Sequence, residues 1–165
     1  MTGTAAILVY LKNKNHGSHS TTGTTAIQLI NKTEVNVRFS EVDALGIVWH
    51  GHYLKFFEDG REAFGKQYGL GYLDVYENEL TIPLININVD FKKIVKYGDS
   101  VRIETAFINS SAAKIIFKYK IFRLSDDELV ATGESIQVFM NMKHELYITV
   151  PPFFEEWKKH NLKIC

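Results

Sequence analysis

A single long helical period, from Tyr53 to Tyr68, stands in this chain among segments of period two. Tyr53, Phe56, Phe57, Gly60, Phe64 and Tyr68 recur at spacings of three and four, which traces one face of a helix of about four or five turns. Lys55, Glu58, Asp59, Arg61, Glu62 and Lys66 fill most of the remaining circumference and read as its solvated side. "GLGY" at 69–72 supplies the stop, because glycine readily takes the left-handed conformation at a helix C-terminus. After it the period returns to two. Ile85, Ile87, Val89 and Phe91 alternate with Asn86, Asn88, Asp90 and Lys92, and further strands read at 101–109, 114–124 and 129–141, with "SDD" at 125–127 as a hairpin turn. Before the helix, Val35, Val37 and Phe39 alternate with Asn36, Arg38 and Ser40, which predicts a strand running into Glu41. "VPPFFEEWKKH" predicts a short final helix. One long helix beside an antiparallel sheet is an α+β layer whose sheet buries only one face against the helix. A second copy of the chain is the expected cover for what remains open, which makes the protein a homo-oligomer.

A chain of 165 residues holds one ordinary domain with a real core. Residues 13–25, "NKNHGSHSTTGTT", are nearly all small or polar, so residues 1–32 are expected to be an N-terminal extension with a flexible linker, and residues 33–165 the folded domain. Lys and Arg together number 19, the same as Asp and Glu, so no net field draws the chain to nucleic acid or anionic lipid. The lone cysteine, Cys165, precludes an intramolecular disulfide. "AAILVYL" near the start is too short to span a bilayer and lacks the flanks of a signal peptide. The expectation is a cytoplasmic protein without a membrane span.

Two features of the helix region point toward chemistry. Gly60, on the apolar face, costs roughly 1 kcal/mol relative to alanine, and close approach of the helix to the strands would compensate. Upstream, "GIVWHGH" at 46–52 leads into the helix N-terminus, where unpaired N–H groups and partial positive charge can polarise a carbonyl. Asp43 lies a few residues before it. A carboxylate beside such donors can attack an acyl carbonyl or activate water. The same aspartate can equally cap a turn, and the local pattern by itself favours the cap.

The stretch "EVDALGIVWHGHYLKFFEDGREAF" at 41–64 resembles the signature of hot-dog-fold thioesterases of the 4-hydroxybenzoyl-CoA thioesterase type, including those associated with the Tol-Pal system. The match runs through Asp43, Gly46, Ile47, Val48, Trp49, His50 and Tyr53, with Glu58 and Arg61 on the helix, and more loosely through 89–105 and 131–141. The resemblance implies an antiparallel sheet wrapped around one central helix, and hydrolysis of an acyl-CoA or acyl carrier protein thioester. Asp43 would be nucleophile or general base, and the His50 backbone N–H would polarise the carbonyl. Gly46, Val48, Trp49, Tyr53 and Glu58 would belong to the substrate site. It further implies a homodimer with joined sheets, usually a homotetramer, and no cofactor beyond the coenzyme A of the substrate. The extension to residue 32 and "MKHELYITVPP" at 142–152 depart from the pattern.

Other chemistries fit these residues less well. His50 and His52 have chelating spacing, but His16, His19, His144 and His160 offer no evident third ligand, so no metal is expected. "GES" at 133–135 lacks the second glycine of a nucleophile elbow. A hot-dog dehydratase using His50 and Glu58 would leave Asp43 idle, and a non-catalytic acyl-thioester or lipid binding module would not need that carboxylate. Lys92, Lys93 and Lys96 form a basic cluster suited either to phosphates or simply to solvent.

Overall fold

The computed structural model describes residues 28–162. The expected linker and the cysteine lie outside them. Strand β1 (Ile30–Asn36) is followed by helix α1 (His52–Tyr68) and a short helix α2 (Tyr72–Tyr76). Strands β2 (Leu80–Thr81), β3 (Leu84–Phe91), β4 (Ser100–Ile108), β5 (Lys114–Arg123), β6 (Glu128–Val138) and β7 (Met140–Asn141) come next, and helix α3 (Pro152–Leu162) last. Five strands form one antiparallel sheet in the order β1-β4-β5-β6-β3, and β2 pairs with β7. The sheet packs against α1, the α+β arrangement that the resemblance implies.

Alternation decides which face is inside. Val101, Ile103, Thr105 and Phe107 of β4 and Ile115, Phe117, Tyr119 and Ile121 of β5 are buried, and they meet Tyr53, Phe56, Phe57 and Phe64 of α1. The Phe57 ring stacks on Tyr119 with centroids 4.1 Å apart. Burying each such aromatic side chain is worth roughly 1.5–3 kcal/mol, so this face anchors the helix. Gly60 faces β4 at close range: a Cβ there would lie 2.9 Å from Ile103 Cγ2 and closer still to Thr105 Oγ1. The missing side chain is therefore what lets the helix nest. At the far end Gly69 takes φ +70° and stops the helix as its sequence predicts. Trp157 of α3 donates from Nε1 to the Tyr68 carbonyl (2.7 Å), while Phe154 and Trp157 stack and close the end of the core.

The first strand differs from the reading above. It begins at Ile30, so residues 30–32 pair in the sheet rather than belonging to a linker, and it ends at Asn36. Phe39 sits in a 3-10 turn (Phe39–Glu41) and is 77% exposed. Polar Asn31 holds a core-facing position, its Nδ2 donating to Gln67 Oε1 (2.6 Å), so the apolar alternation that marks a strand was hidden there. Arg61 is the second difference. Its side chain is only 9% exposed, against the solvated position expected from its spacing.

Strand β3 is an edge, and its residues Ile85 and Phe91 stay 61% and 55% exposed. No helix among the described residues is long and apolar enough to cross a membrane.

Candidate active site

The segment between β1 and α1 is a tight turn pinned at both ends. The Asp43 N–H donates to the Ile47 carbonyl and the Gly46 N–H to the Asp43 carbonyl, each at 2.9 Å, with Gly46 at φ +72°. The Val48 N–H donates to the Val95 carbonyl (2.8 Å) and the Trp49 N–H to the Glu41 carbonyl (2.9 Å). Asp43 does serve its turn: Oδ1 accepts the Leu45 N–H at 2.8 Å. Among the described residues no group bonds its Oδ2, so the turn uses one carboxylate oxygen and leaves the other open.

The chain then enters α1 through His50 and Gly51. The His52 N–H reaches back to the Trp49 carbonyl and the Tyr53 N–H to the His50 carbonyl, whereas the N–H groups of His50 and Gly51 have no backbone acceptor among the described residues. These are the orphan donors that a helix N-terminus leaves over. Gly51 is needed for a steric reason. The Trp49 ring lies across it, and any Cβ at Gly51 would collide with ring carbons. His50 and His52 both lean on that ring, at centroid distances of 4.5 and 5.7 Å.

A cleft of about 500 Å³ gathers Asp43, Val48, His50 and Tyr53 with Phe91, Lys92 and Lys93. Tyr53 is buried, packs edge-on against Phe91 (4.9 Å), and has its phenol pKa raised by that burial. The structure thus brings together four of the residues expected at the site. Gly46 shapes the turn without lining the cleft, and Trp49, 48% exposed, covers Gly51 outside it. Glu58 is elsewhere, ion-paired to Arg61 in the wall of a different cavity.

Sequence reasoning missed Glu41. It is 3% exposed and accepts hydrogen bonds from the Arg38 N–H (2.9 Å) and Lys55 Nζ (2.7 Å). Burial works against its charge, but the Arg38 N–H and the Lys55 ammonium outweigh burial and hold its carboxyl below the usual glutamate range. One residue therefore ties the turn before Asp43, the Trp49 N–H and the first turns of α1 into one unit. The signal was its three-residue spacing from Arg38, which a glutamate uses to reach back to the N–H that opens a helical turn.

The sequence pattern of the Thioesterase-like superfamily matches residues 37–158. The chain belongs to that superfamily. It is similar to the putative acyl-CoA thioesterase YneP of Bacillus subtilis, at 33% identity over 110 residues covering 66% of this chain and 80% of that protein. A 1,4-dihydroxy-2-naphthoyl-CoA hydrolase of Prochlorococcus marinus subsp. pastoris is 26% identical over 142 residues, covering 78% of this chain and 92% of its own. The crystal structure of a DHNA-CoA thioesterase from Staphylococcus aureus superposes with a TM-score of 0.73 at 26% identity, over 82% of this chain and 90% of that one. The fold is the hot-dog fold of these thioesterases, and the chain is a thioester hydrolase. These relatives do not single out the 4-hydroxybenzoyl-CoA or Tol-Pal-associated branch within the superfamily.

Proposed function

We propose that the chain hydrolyses an acyl-CoA thioester in the Asp43 cleft. The observation that carries this reading is that one hollow is lined both by Asp43, whose Oδ2 has no partner among the described residues, and by His50, whose backbone N–H has no acceptor among them. The thioester carbonyl oxygen would sit on the His50 N–H, with the Gly51 N–H beside it, and negative charge developing there is stabilised without reorganisation. A single such donor is typically worth about 3–4 kcal/mol of barrier. Asp43 Oδ2 then either attacks the carbonyl carbon, expelling the thiolate and leaving an anhydride that water opens, or takes a proton from water as that water attacks. Both routes end in free acid and thiol. Val48, Tyr53 and Phe91 offer an apolar wall for the group next to the carbonyl, and Lys92 and Lys93 offer mobile charge for the phosphates of coenzyme A.

The assembly belongs to the same reading. Strand β3 presents an unpaired edge and uncovered apolar side chains, so a second copy joining along β3 would bury both. The test is thiol release from short, long and aryl acyl-CoAs by wild type and Asp43→Ala in parallel. Release that depends on Asp43 supports the assignment. Release undiminished in a folded Asp43→Ala protein removes Asp43 from the mechanism, and release only from acyl carrier protein thioesters changes the carrier.

A further inference from the structure

Between β3 and β4 the chain forms a strap, residues 92–97, outside any strand or helix. The strap is bonded to the Asp43 turn. The Val48 N–H donates to the Val95 carbonyl (2.8 Å) and the Tyr97 N–H to the Gly46 carbonyl (3.3 Å), which makes Ile47 and Lys96 a small antiparallel bridge. Lys92, Lys93, Ile94 and Val95 of the strap also line the cleft that holds Asp43 and His50. Whatever fixes the strap therefore fixes both a wall of the cleft and the turn that carries Asp43.

The strap is anchored at its two ends by short-range bonds. The Lys92 and Lys93 N–H groups donate to the Val130 carbonyl (2.9 and 3.1 Å), and the Lys96 N–H donates to Asp99 Oδ2 (2.8 Å). Between them stands Ile94, 53% exposed, whose carbonyl accepts from Arg123 Nη1 at 2.8 Å. Arg123 closes β5, and its guanidinium is itself fixed. Nε and Nη2 grip the Asp126 carboxylate (3.1 and 2.7 Å), and Nη2 also reaches Glu128 Oε2 (3.0 Å). The Glu128 N–H steadies Asp126 Oδ1 (3.2 Å), and Glu128 Oε1 pairs with Lys93 Nζ (3.4 Å). A planar fork held through Nε and Nη2 presents Nη1 at one defined place, which a flexible ammonium does not do. The Asp126 and Glu128 side chains are 45% and 40% exposed, and ion pairs so open to water add little to global stability. The consequence of this cluster lies in where it puts the strap.

We propose that Arg123 is a positioning residue for thioester hydrolysis: by holding the Ile94 carbonyl it locks the strap, and through the strap the turn that carries Asp43. Arg123 itself lies outside the cleft lining. This role rests on the Asp43 cleft being where the thioester reacts.

The test compares Arg123→Met with wild type by two measurements on the full chain, one of them independent of activity. Amide hydrogen exchange should quicken about tenfold or more at Val48 and Tyr97, the two N–H groups that join strap and turn, while the β4 and β5 amides and the melting temperature stay as in wild type. With the acyl-CoA that wild type hydrolyses fastest, kcat should fall about tenfold and KM change less than about twofold, since a misplacement of about 1 Å at a reacting centre costs up to about 10²-fold. A residue that only supported the fold would lower the melting temperature and quicken exchange throughout the sheet. One that met the phosphates of coenzyme A itself would raise KM and leave exchange alone. Either pattern, or an unchanged kcat, would overturn the proposal. If Asp43→Ala proves as active as wild type, the cleft reading falls and this one with it; if Asp43 is needed and kcat survives in Arg123→Met, only the Arg123 assignment falls. Arg123→Lys, which keeps the charge facing Asp126 and Glu128 but not the fork, gives the same comparison where Arg123→Met does not fold.

Discussion

The two halves of α1 carry unmatched polar groups of different kinds. At the N-terminal end they belong to the backbone, the His50 and Gly51 N–H groups, and to the Asp43 carboxylate, whose second oxygen has no partner among the described residues. Further along the helix the unmatched group is a side-chain one, Arg61 Nη1, shut from solvent with no hydrogen-bond partner among the described residues. Backbone donors are fixed by the helix itself and cannot follow a moving substrate, so they suit charge that appears at one point during a reaction. Side-chain donors on a buried stem can adjust to their surroundings.

The sharpest way to break this contrast is at Asp43. Asp43→Ala is expected to lower thioester hydrolysis by about 10²–10⁴-fold, the range for removing a positioned acid or base, without moving the melting temperature appreciably. Thiol release and thermal denaturation on one preparation decide it. A smaller loss is expected at Gly51. A methyl group there must displace the Trp49 ring or the backbone, and a shift on the order of 1 Å at a reacting centre costs about 10²-fold. Gly51→Ala should therefore lower kcat far more than it raises KM. Adding Trp49→Ala, which removes the obstructing ring, should restore part of the rate; a double variant as slow as the single one would mean that the ring is not the obstacle.

What could be read in advance follows the range of the forces involved. Helix α1 and strands β3 to β6 were legible because aromatic and branched residues repeat along them at a fixed period. Strand β1 was misplaced because Asn31 occupies a core position with a partner, Gln67, that only the folded helix provides. Helix α2 and the β2–β7 pair are too short to show a period. At the site, Asp43, Val48, His50 and Tyr53 fall close together in sequence, and the structure keeps them together in the cleft. Arg61 looked solvated because Ile115, Phe117 and Gln137, which line the same cavity, come from strands far along the chain. Glu58 was assigned to the substrate site by resemblance, yet within one protomer it lines the other cavity.

Gly60, next to Arg61, faces β4 and tests the packing of the helix rather than either group of polar atoms. Gly60→Leu places its side chain against Ile103 and Thr105 and should destabilise the fold by overpacking, typically about 1–3 kcal/mol. Denaturant titration would register this as a lower midpoint at an unchanged slope. An unshifted midpoint would mean that the close approach of helix and strand is not needed.

The smallest expected effect concerns Glu41, which belongs to the reactive end alone. Its folded-state pKa lies below the ordinary value, so the stability it contributes is present above that value and is lost as pH falls through the lowered one. Wild type should therefore lose part of its stability on acidification below about pH 4.5, the ordinary glutamate value. Glu41→Gln, which keeps the shape but not the charge, should flatten that acid limb. Because Lys55 is 43% exposed, the difference at neutral pH should be about 1 kcal/mol or less. Melting temperature followed against pH for both proteins measures it. If the acid limbs coincide, the Arg38 and Lys55 contacts do not stabilise the carboxylate, and the turn before Asp43 must be held by its backbone bonds alone.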